Sequence, residues 1–363
     1  MKNLCFIDFN ISNVGGIERV LVSLCNELSE MYNVHIVSIC GDVKDCHYNI
    51  NSNIKCYSLG NPSESRIRGL IVKSSKKLID YVRENDIDVV FMVGHFTPPI
   101  VLPIKPFVNS KFVFCDHGAL MNQYDDKKAV IFRKLASKLC DKTVVLTERT
   151  LNDYIDKFGV KKDKMVCIYN WLDSELMKYT SEYDSESKMM LSCGRLSSEK
   201  GYDMLLDIAK GVFSRYPDWQ WHIYGDGEQR PNLEKWIREE NLERNVILKG
   251  STDKMYEKYK HYGMYVMTSY REGLPLVLLE AKANHLPIIS FDCLTGPSEI
   301  VRDGFDGYLI ECYNKESMIE KICELIRNKE KRILFSQRST GNLNLFDKTE
   351  ILEKWISLIN NLL

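Results

Sequence analysis

The chain has 363 residues, of which 44% are hydrophobic and 27% are charged, and its formal net charge is −1. This length exceeds what one hydrophobic core usually supports, so it predicts two domains of roughly 150–200 residues each. The balanced charge argues against a nucleic-acid partner, and no apolar run reaches the ~20 residues of a membrane span. The charge is uneven, because residues 1–170 hold 23 Lys and Arg against 19 Asp and Glu.

Short apolar runs predict β strands throughout the chain. They are residues 4–9, 33–40, 88–94, 111–117, 142–147 and 165–170 in the first half, and 188–194, 219–225, 245–250, 264–269 and 286–292 in the second. Helical patterns lie between most of them, for example at residues 17–31, 66–84, 127–139, 203–215, 231–240, 275–284 and 315–328. This alternation predicts an α/β fold with parallel sheets covered on both faces.

The alternation restarts after a polar segment that lacks strand patterns, which predicts a linker at residues 173–187. We therefore predict two Rossmann-like domains, at residues 1–172 and 188–345, whose parallel sheets face each other across a cleft. The last helical pattern, at residues 346–363, follows a break of Gly and Asn and is expected to pack back on the first domain.

The twelve cysteines are scattered and form no Cys-x-x-Cys pair. Several lie inside apolar runs such as "VFC" and "LSC", which predicts buried free thiols in a reducing cytosol rather than a disulfide framework or a zinc site. The N-terminal run "MKNLCFIDFN" is broken by Asp8 and is too short for a signal peptide, so it predicts a first buried strand.

Ligands of open α/β sheets bind at the carboxyl ends of strands, so we considered the residues that follow each predicted strand. Gly15 and Gly16 follow the first strand, where their backbone could approach a phosphate, although a plain tight turn explains them equally well. The pattern is not G-x-G-x-x-G, which disfavours a nicotinamide cofactor. His117 ends another strand and is as compatible with a structural role as with ligand binding.

Arg195 and Lys200 lie on a glycine-flanked loop at the end of the strand "KMMLSC". A guanidinium fork and an ammonium five residues apart can clamp a diphosphate, and a solvated charged loop is the weaker alternative.

Two glutamates stand out in "SYREGLPLVLLEA". Glu272 lies at the mouth of a predicted helix, and Glu280 lies inside it among apolar residues, where a carboxylate needs a hydrogen-bonding partner. A sugar diol would supply that partner, and an Arg or Lys of a neighbouring element is the alternative.

Five segments in this order carry a resemblance to a known family: "GGIER", "CGRLSSEKG", "GDGEQR", "SYREGLPLVLLEA" and "SFDCLTGPSEIVRDGFDGYLI". Together they resemble the retaining glycosyltransferases of family 4, which have the GT-B fold. The resemblance covers nearly the whole chain and is strongest from Lys188 to Ile310. Glu272 and Glu280 match the E-x7-E motif of that family.

The resemblance implies that a nucleotide-sugar lies mainly on the second domain. By it, Gly194, Arg195 and Lys200 hold the diphosphate, which the Gly15–Gly16 backbone approaches from the first domain. Glu280 then accepts hydrogen bonds from the ribose hydroxyls.

The remaining sugar-donor contacts also follow from the resemblance. Glu272 would contact the transferred sugar and the distal phosphate, together with the amides of Gly273, Leu274 and Leu276. His117 would hydrogen-bond the sugar and help to stabilise its developing positive charge. The nucleobase would pass Lys249, Gly250 and Ser251, largely through backbone contacts.

The first half also carries two basic clusters. One is the helical pattern at residues 66–83, with Arg66, Arg68, Lys73, Lys76 and Lys77, and the other comprises Lys127, Lys128, Arg133, Lys134 and Lys138. An ordinary surface helix explains the first as well as an anionic membrane surface does. Together with the basic first half, they favour a lipid-linked or oligosaccharide acceptor and peripheral attachment to the inner face of the cytoplasmic membrane.

The "SFDCLTGPSEI" loop resembles that of family members that build bacterial surface polysaccharide from UDP-sugars, so a UDP-linked hexose or N-acetylhexosamine is the expected donor. The only Asp-x-Asp, at residues 86–88, precedes a strand, and we expect neither a metal ion nor another cofactor. Two other functions stay open: a nucleotide-sugar epimerase of similar architecture, and a non-catalytic subunit that binds a nucleotide-sugar.

Overall fold

The structure of the protein is a computed structural model that describes residues 1–61 and 67–363. It divides into two compact units. The first unit comprises Met1–Asn170 and Thr349–Leu363, and the second comprises Trp171–Lys348.

The first unit is built on a parallel sheet of seven strands. These are β1 (Asn3–Asp8), β2 (Asn33–Cys40), β3 (Lys55–Asn61), β4 (Val89–Val93), β5 (Lys111–Asp116), β6 (Lys142–Val145) and β7 (Met165–Cys167). Their order is β3-β2-β1-β4-β5-β6-β7. The helices are α1 (Gly16–Leu28), α2 (Ile67–Glu84), α3 (Pro98–Val101), α4 (Lys127–Leu139) and α5 (Glu148–Phe158). The central strands are buried along their length because helices cover both faces of the sheet.

The second unit repeats this plan with six parallel strands. They are β8 (Met189–Cys193), β9 (Gln220–Tyr224), β10 (Val246–Gly250), β11 (Met264–Met267), β12 (Ile288–Asp292) and β13 (Gly307–Glu311). Their order is β10-β9-β8-β11-β12-β13. The helices are α6 (Tyr202–Phe213), α7 (Arg230–Glu239), α8 (Leu276–Ala283), α9 (Pro297–Ile300), α10 (Lys315–Arg327) and α11 (Lys329–Arg338).

The last helix, α12 (Lys348–Asn360), packs on the first unit. Trp355 is buried, and its ring centroid lies 6.1 Å from that of Phe91 in β4. The Tyr32 hydroxyl also donates to Asn360 Oδ1 at 3.2 Å. These contacts confirm that the C-terminal helix returns to the first unit.

The segment at residues 173–187, expected to be a linker, belongs to the second unit. A 3-10 helix at Ser174–Lys178 buries Leu176, and the Tyr183 hydroxyl donates to Gly263 O at 2.6 Å. These contacts fix the segment against the second unit.

The two Rossmann-like α/β layers and all eleven predicted strands are confirmed. The predicted strands do not include β3 and β13, which are both edge strands, and the helices named from the sequence do not include α3, α5, α9 and α11. In β3 the first residues, Lys55 and Cys56, are exposed, so this strand lacks the apolar run that identifies a buried parallel strand.

Candidate active site

In the second unit the strand order reverses between β8 and β11, which are neighbours in the sheet but are separated along the chain by β9 and β10. The loops after β8 and β11 therefore leave the same edge in opposite directions and form the crevice where open α/β sheets bind ligands. Arg195 and Lys200 lie on the first loop and Glu272 lies on the second. The topology thus brings these three predicted site residues to one place.

The loop after β8 is held tightly against the end of β11. Gly201 has φ 64°, and a Cβ there would lie 2.0 Å from Thr268 O, so only glycine fits. Thr268 Oγ1 donates to Lys200 O at 3.0 Å, and Tyr270 N donates to Glu199 O at 2.8 Å. These contacts fix the backbone that carries the Lys200 side chain.

Lys200 and Glu272 form a direct ion pair. Lys200 Nζ lies 2.7 Å from Glu272 Oε1, and the two side chains are 25% and 10% exposed. Burial by itself lowers the pKa of Lys200, but the Glu272 carboxylate outweighs it and the pKa is raised. Arg195 lies on the same loop as Lys200, and its side chain is exposed. Lys200 is thus a cation held in place on its loop, and in this structure it is paired with the Glu272 carboxylate.

The helix mouth that carries Glu272 is also braced. Thr295 Oγ1 donates to Glu272 O at 2.6 Å, and a Cβ on Gly296 would lie 2.6 Å from Gly273 O. Pro275 has φ −73° and ψ 100°, so α8 begins at Leu276, one residue later than predicted. The predicted anion-contacting amides of Gly273, Leu274 and Leu276 therefore belong to this braced turn and to the first residue of α8.

Glu280 is 4% exposed and lies in the interior of the second unit. Its Oε2 accepts a hydrogen bond from the Tyr259 hydroxyl at 2.7 Å. That hydroxyl also lies 3.3 Å from Sγ of Cys193, the residue that precedes Gly194 in the sequence. The expected partner of Glu280 was a ligand or a cation of a neighbouring element. The structure supplies a neutral phenol, which no sequence motif indicated.

Lys249, Gly250 and Ser251 lie at the carboxyl end of the edge strand β10. Gly250 O accepts from Gly225 N at 2.9 Å, and Gly194 N donates to Tyr224 O at 3.0 Å. Backbone hydrogen bonds thus connect the carboxyl end of β10 to that of β9, and that of β9 to that of β8. The predicted nucleobase segment therefore lies at the same edge of the sheet as Arg195.

In the first unit the predicted residues also lie at the carboxyl edge. α1 begins at Gly16, and a Cβ on Gly15 would lie 2.6 Å from Glu18 Oε2. His117 follows β5 and is half-buried. Burial lowers the pKa of His117 to about 4, against the opposing effect of the Asp116 carboxylate, so its imidazole is neutral at pH 7.

A buried polar network lies next to His117. Arg133 and Asp116 are both 0% exposed, and Arg133 Nε donates to Asp116 Oδ2 at 2.8 Å. Asp116 also accepts from the Tyr154 hydroxyl at 2.7 Å and from Gly118 N at 3.2 Å. The prediction that Arg133 belongs to an acceptor or membrane surface is therefore wrong, because its guanidinium neutralises a carboxylate inside the unit.

The other cations of the basic clusters lie at the surface of the first unit. Those described with exposed side chains are Arg68, Lys73, Lys76, Lys77, Lys127, Lys128, Lys134 and Lys138. Lys77 Nζ reaches Leu59 O at 3.0 Å. Arg66 lies outside the described residues.

Within residues 1–61 and 67–363, no group of three or more His, Cys, Asp or Glu is arranged to hold a metal ion. In those same ranges, no helix has both the length and the apolar character needed to cross a bilayer.

The chain matches two family models. Residues 173–340 match the model for glycosyl transferases group 1, and residues 14–176 match that for glycosyltransferase family 4. The amylovoran biosynthesis glycosyltransferase AmsD of Erwinia amylovora is 31% identical over 374 residues, covering 99% of each chain. A Campylobacter jejuni N-acetylgalactosaminyltransferase, named for a diphospho-undecaprenol-linked substrate, is 25% identical over 93% of this chain and 94% of its own.

Solved structures show the same fold. Anabaena HepE in complex with UDP-glucose superposes with a TM-score of 0.82 at 16% identity, over 99% of this chain and 100% of that one. A TarM mutant of S. aureus in complex with UDP has a TM-score of 0.85 at 18% identity, with 99% and 100% coverage. The fold is therefore GT-B, and the sequence matches over the whole length show that this chain is a glycosyltransferase that belongs to family 4.

Proposed function

We propose that this enzyme transfers a hexose or N-acetylhexosamine from a UDP-sugar to a lipid-linked or oligosaccharide acceptor, with retention of configuration and without a metal ion, in bacterial surface polysaccharide synthesis. The observation that carries the proposal is the Lys200–Glu272 pair at the strand-order reversal of the second unit, with Arg195 on the same loop.

The proposed reaction needs positive charge at the leaving group. Breaking the bond between the sugar C1 and the phosphate oxygen leaves negative charge on the nucleoside diphosphate. In the proposal, Arg195 and Lys200 stabilise that charge. A hydrogen bond from Thr268 Oγ1 to Lys200 O supports this role, because it holds the backbone that carries Lys200. No metal ion is then required for this purpose.

The proposed retention does not rely on either glutamate as a nucleophile. Glu280 is buried and accepts from Tyr259, while Glu272 faces Lys200, so neither is arranged like the nucleophile of a retaining glycosidase. In the proposed step, the C1–oxygen bond to phosphate breaks and a bond from the acceptor oxygen to C1 forms on the same face. The acceptor proton passes to an oxygen of the departing diphosphate, which leaves as UDP.

Similar proteins support the choice of substrates. Solved structures with this fold include complexes with UDP and with UDP-glucose. Relatives are named for amylovoran biosynthesis and for a diphospho-undecaprenol-linked acceptor. We extend these substrate classes to this chain as a proposal.

The exposed side of α4 supports attachment to a membrane surface. Ile131, Leu135 and Leu139 recur every four residues and are 52%, 49% and 54% exposed. Exposed lysines of the same helix accompany this apolar stripe: Lys127, Lys128, Lys134 and Lys138. Apolar and basic side chains together suit the interface of an anionic bilayer.

A thermal-shift panel of UDP, GDP, ADP and their sugars tests the sugar donor, because a ligand that binds only the folded state raises the melting temperature. We expect stabilisation by UDP and by one UDP-sugar, unchanged by EDTA. Stabilisation by GDP-sugars alone would reject the UDP assignment. Product analysis by NMR of the anomeric centre distinguishes retention from inversion.

Sedimentation with phosphatidylglycerol vesicles tests the membrane surface. Leu135→Ser and Lys134→Glu should each reduce binding, whereas Lys235→Glu, on an exposed lysine of the second unit, should not. Equal sedimentation of all variants would remove α4 from the proposal.

A further inference from the structure

The second unit contains a cavity of about 530 Å³ that the proposed reaction does not use. It lies between the 3-10 turn after β8, the N-terminal parts of α6 and α7, and the turn that precedes Glu272. This volume falls within the roughly 300–1,000 Å³ of small-molecule sites. Its lining, taken from the described residues, includes none of Arg195, Lys200, Glu272 and Glu280.

The cavity and the proposed sugar-donor site share a wall. Lys200 ends the 3-10 turn at Ser198–Lys200 and directs its ammonium to Glu272, whereas Ser198 and Glu199 of the same turn line the cavity. Tyr270 N donates to Glu199 O at 2.8 Å and joins the turn to the far side of the cavity. A ligand in the cavity would therefore lie next to the residues proposed to hold the diphosphate.

Aromatic residues make up much of the lining: Trp236, Tyr270 and Tyr313, together with the buried Tyr202. The ring centroids of Tyr270 and Tyr313 lie 4.7 Å apart at an interplanar angle of 32°. Tyr313 is 62% exposed and has φ 72°, a conformation that a bulky residue rarely adopts. Such backbone strain clusters at ligand-binding positions. Here it holds a large apolar ring at the cavity rim.

The polar lining suits hydroxyl groups. Glu199 and Asp203 supply two carboxylates, Gln229 an amide, and Arg271 the guanidinium. The Tyr270 hydroxyl donates to Asp203 Oδ1 at 2.8 Å, which orients this carboxylate. Two carboxylates against one cation disfavour a phosphate. Aromatic faces that pack on the C–H face of a ring, with carboxylates and an amide around its rim, match the chemistry of a pyranose.

We propose that this cavity is a carbohydrate subsite that binds one neutral pyranose residue of the acceptor or product glycan. The inference rests on the proposed function for the identity of the glycan. It adds a position for a sugar other than the one transferred, held on the second unit next to the Lys200 turn.

Saturation-transfer difference NMR tests the subsite with four probes: the methyl α-glycosides of glucose, galactose, N-acetylglucosamine and N-acetylgalactosamine. The proteins are wild type, Trp236→Ala, Tyr313→Gly and a control, Tyr179→Ala, in which an exposed tyrosine of the same unit outside the cavity is removed. Glycine accepts the backbone of residue 313 without strain, so Tyr313→Gly removes the ring while keeping the fold.

We expect at least one glycoside to be saturated at its ring protons by the wild type and the control. Its signal should fall by about fivefold in one or both cavity variants, the change expected when an aromatic contact is lost. The proposal is overturned if no glycoside is saturated by the wild type, or if the signals persist in both variants. UDP is tested on the same samples by thermal shift. A lack of UDP stabilisation would count against the proposed function and is read independently of the glycosides.

Discussion

Replacing Glu272 with glutamine keeps the size of the side chain and removes the negative charge that faces Lys200. In the wild-type protein Lys200 Nζ lies 2.7 Å from Glu272 Oε1. If Lys200 binds the diphosphate as proposed, the nucleotide has to compete with this carboxylate for the ammonium. Glu272→Gln should therefore bind UDP more tightly. It should also transfer sugar more slowly, because Glu272 is proposed to contact the sugar in the transition state.

The exposure of the Lys200–Glu272 ion pair determines how large the change in UDP affinity should be. Exposed ion pairs contribute at most about 1 kcal/mol, and hydrogen bonds to charged groups about 1.5–3 kcal/mol. Lys200 and Glu272 are 25% and 10% exposed, which lies between these cases. If removal of the carboxylate strengthens UDP binding by about 1.4 kcal/mol, the Kd of Glu272→Gln for UDP is tenfold lower than that of the wild type. Loss of a transition-state contact of this kind lowers kcat by about 100-fold.

Isothermal titration with UDP and a transfer assay measure the two effects on one protein. Glu240→Gln is the matched control, because it breaks the Lys210–Glu240 ion pair on an exposed surface of the same unit. It should change neither quantity. Unchanged or weaker UDP binding by Glu272→Gln would refute the reasoning, since Lys200 would then not be the phosphate ligand for which Glu272 competes.

Three further predictions address the buried groups. Tyr259→Phe removes the hydroxyl that donates to Glu280 and should lower the free energy of unfolding in urea by about 2 kcal/mol, with a raised KM for the sugar donor. Arg133→Met leaves the buried Asp116 carboxylate without its cation and should lower the free energy of unfolding by about 3–5 kcal/mol. Adding Asp116→Asn to this variant should restore part of that loss. Burial is the main reason that the pKa of Asp8 is raised from 3.8 to about 7, and the nearby negative charge of Glu18 adds to the effect. The protonated form of Asp8 contributes stability that is fully present below pH 3.8 and is lost as the pH rises through 7. Asp8→Asn should therefore be more stable than the wild type at pH 8, by about 2–4 kcal/mol, and similar to it at pH 3.5.

The strands and helices that the sequence predicted are those with a strong period or a continuous apolar run. Helix α5 was missed although Thr147 caps its N-terminus, with Thr150 N donating to Thr147 Oγ1 at 3.1 Å, and Gly159 ends it at φ 60°. Its residues are mostly polar, and only a narrow stripe is buried. The caps were readable in the sequence, so capping patterns would have found this helix where hydrophobicity did not.

The positions of the candidate site residues were predictable because parallel strands place their carboxyl ends at one edge of the sheet. Their partners were not, because Lys200 and Glu272 are 72 residues apart and Tyr259 belongs to no motif. Arg133 was misplaced for a different reason. Charge alone suggested the surface, yet the helical period sets Arg133 on the buried face of α4 with Ala129 and Ala136.

The two glutamates of the E-x7-E motif have partners of opposite kind, and this difference separates two chemistries within one unit. Glu272 faces a cation that is one-quarter exposed, so the pair can open and present Lys200 to a phosphate. Glu280, at 4% exposure, accepts a hydrogen bond from the neutral Tyr259 hydroxyl. In the proposed sugar-donor site, Glu280 accepts hydrogen bonds from hydroxyl groups of the ligand. On the proposed function, Lys200 at the end of β8 would hold the diphosphate and Glu280 would accept hydrogen bonds from a sugar diol, so the two glutamates would serve different parts of one nucleotide-sugar.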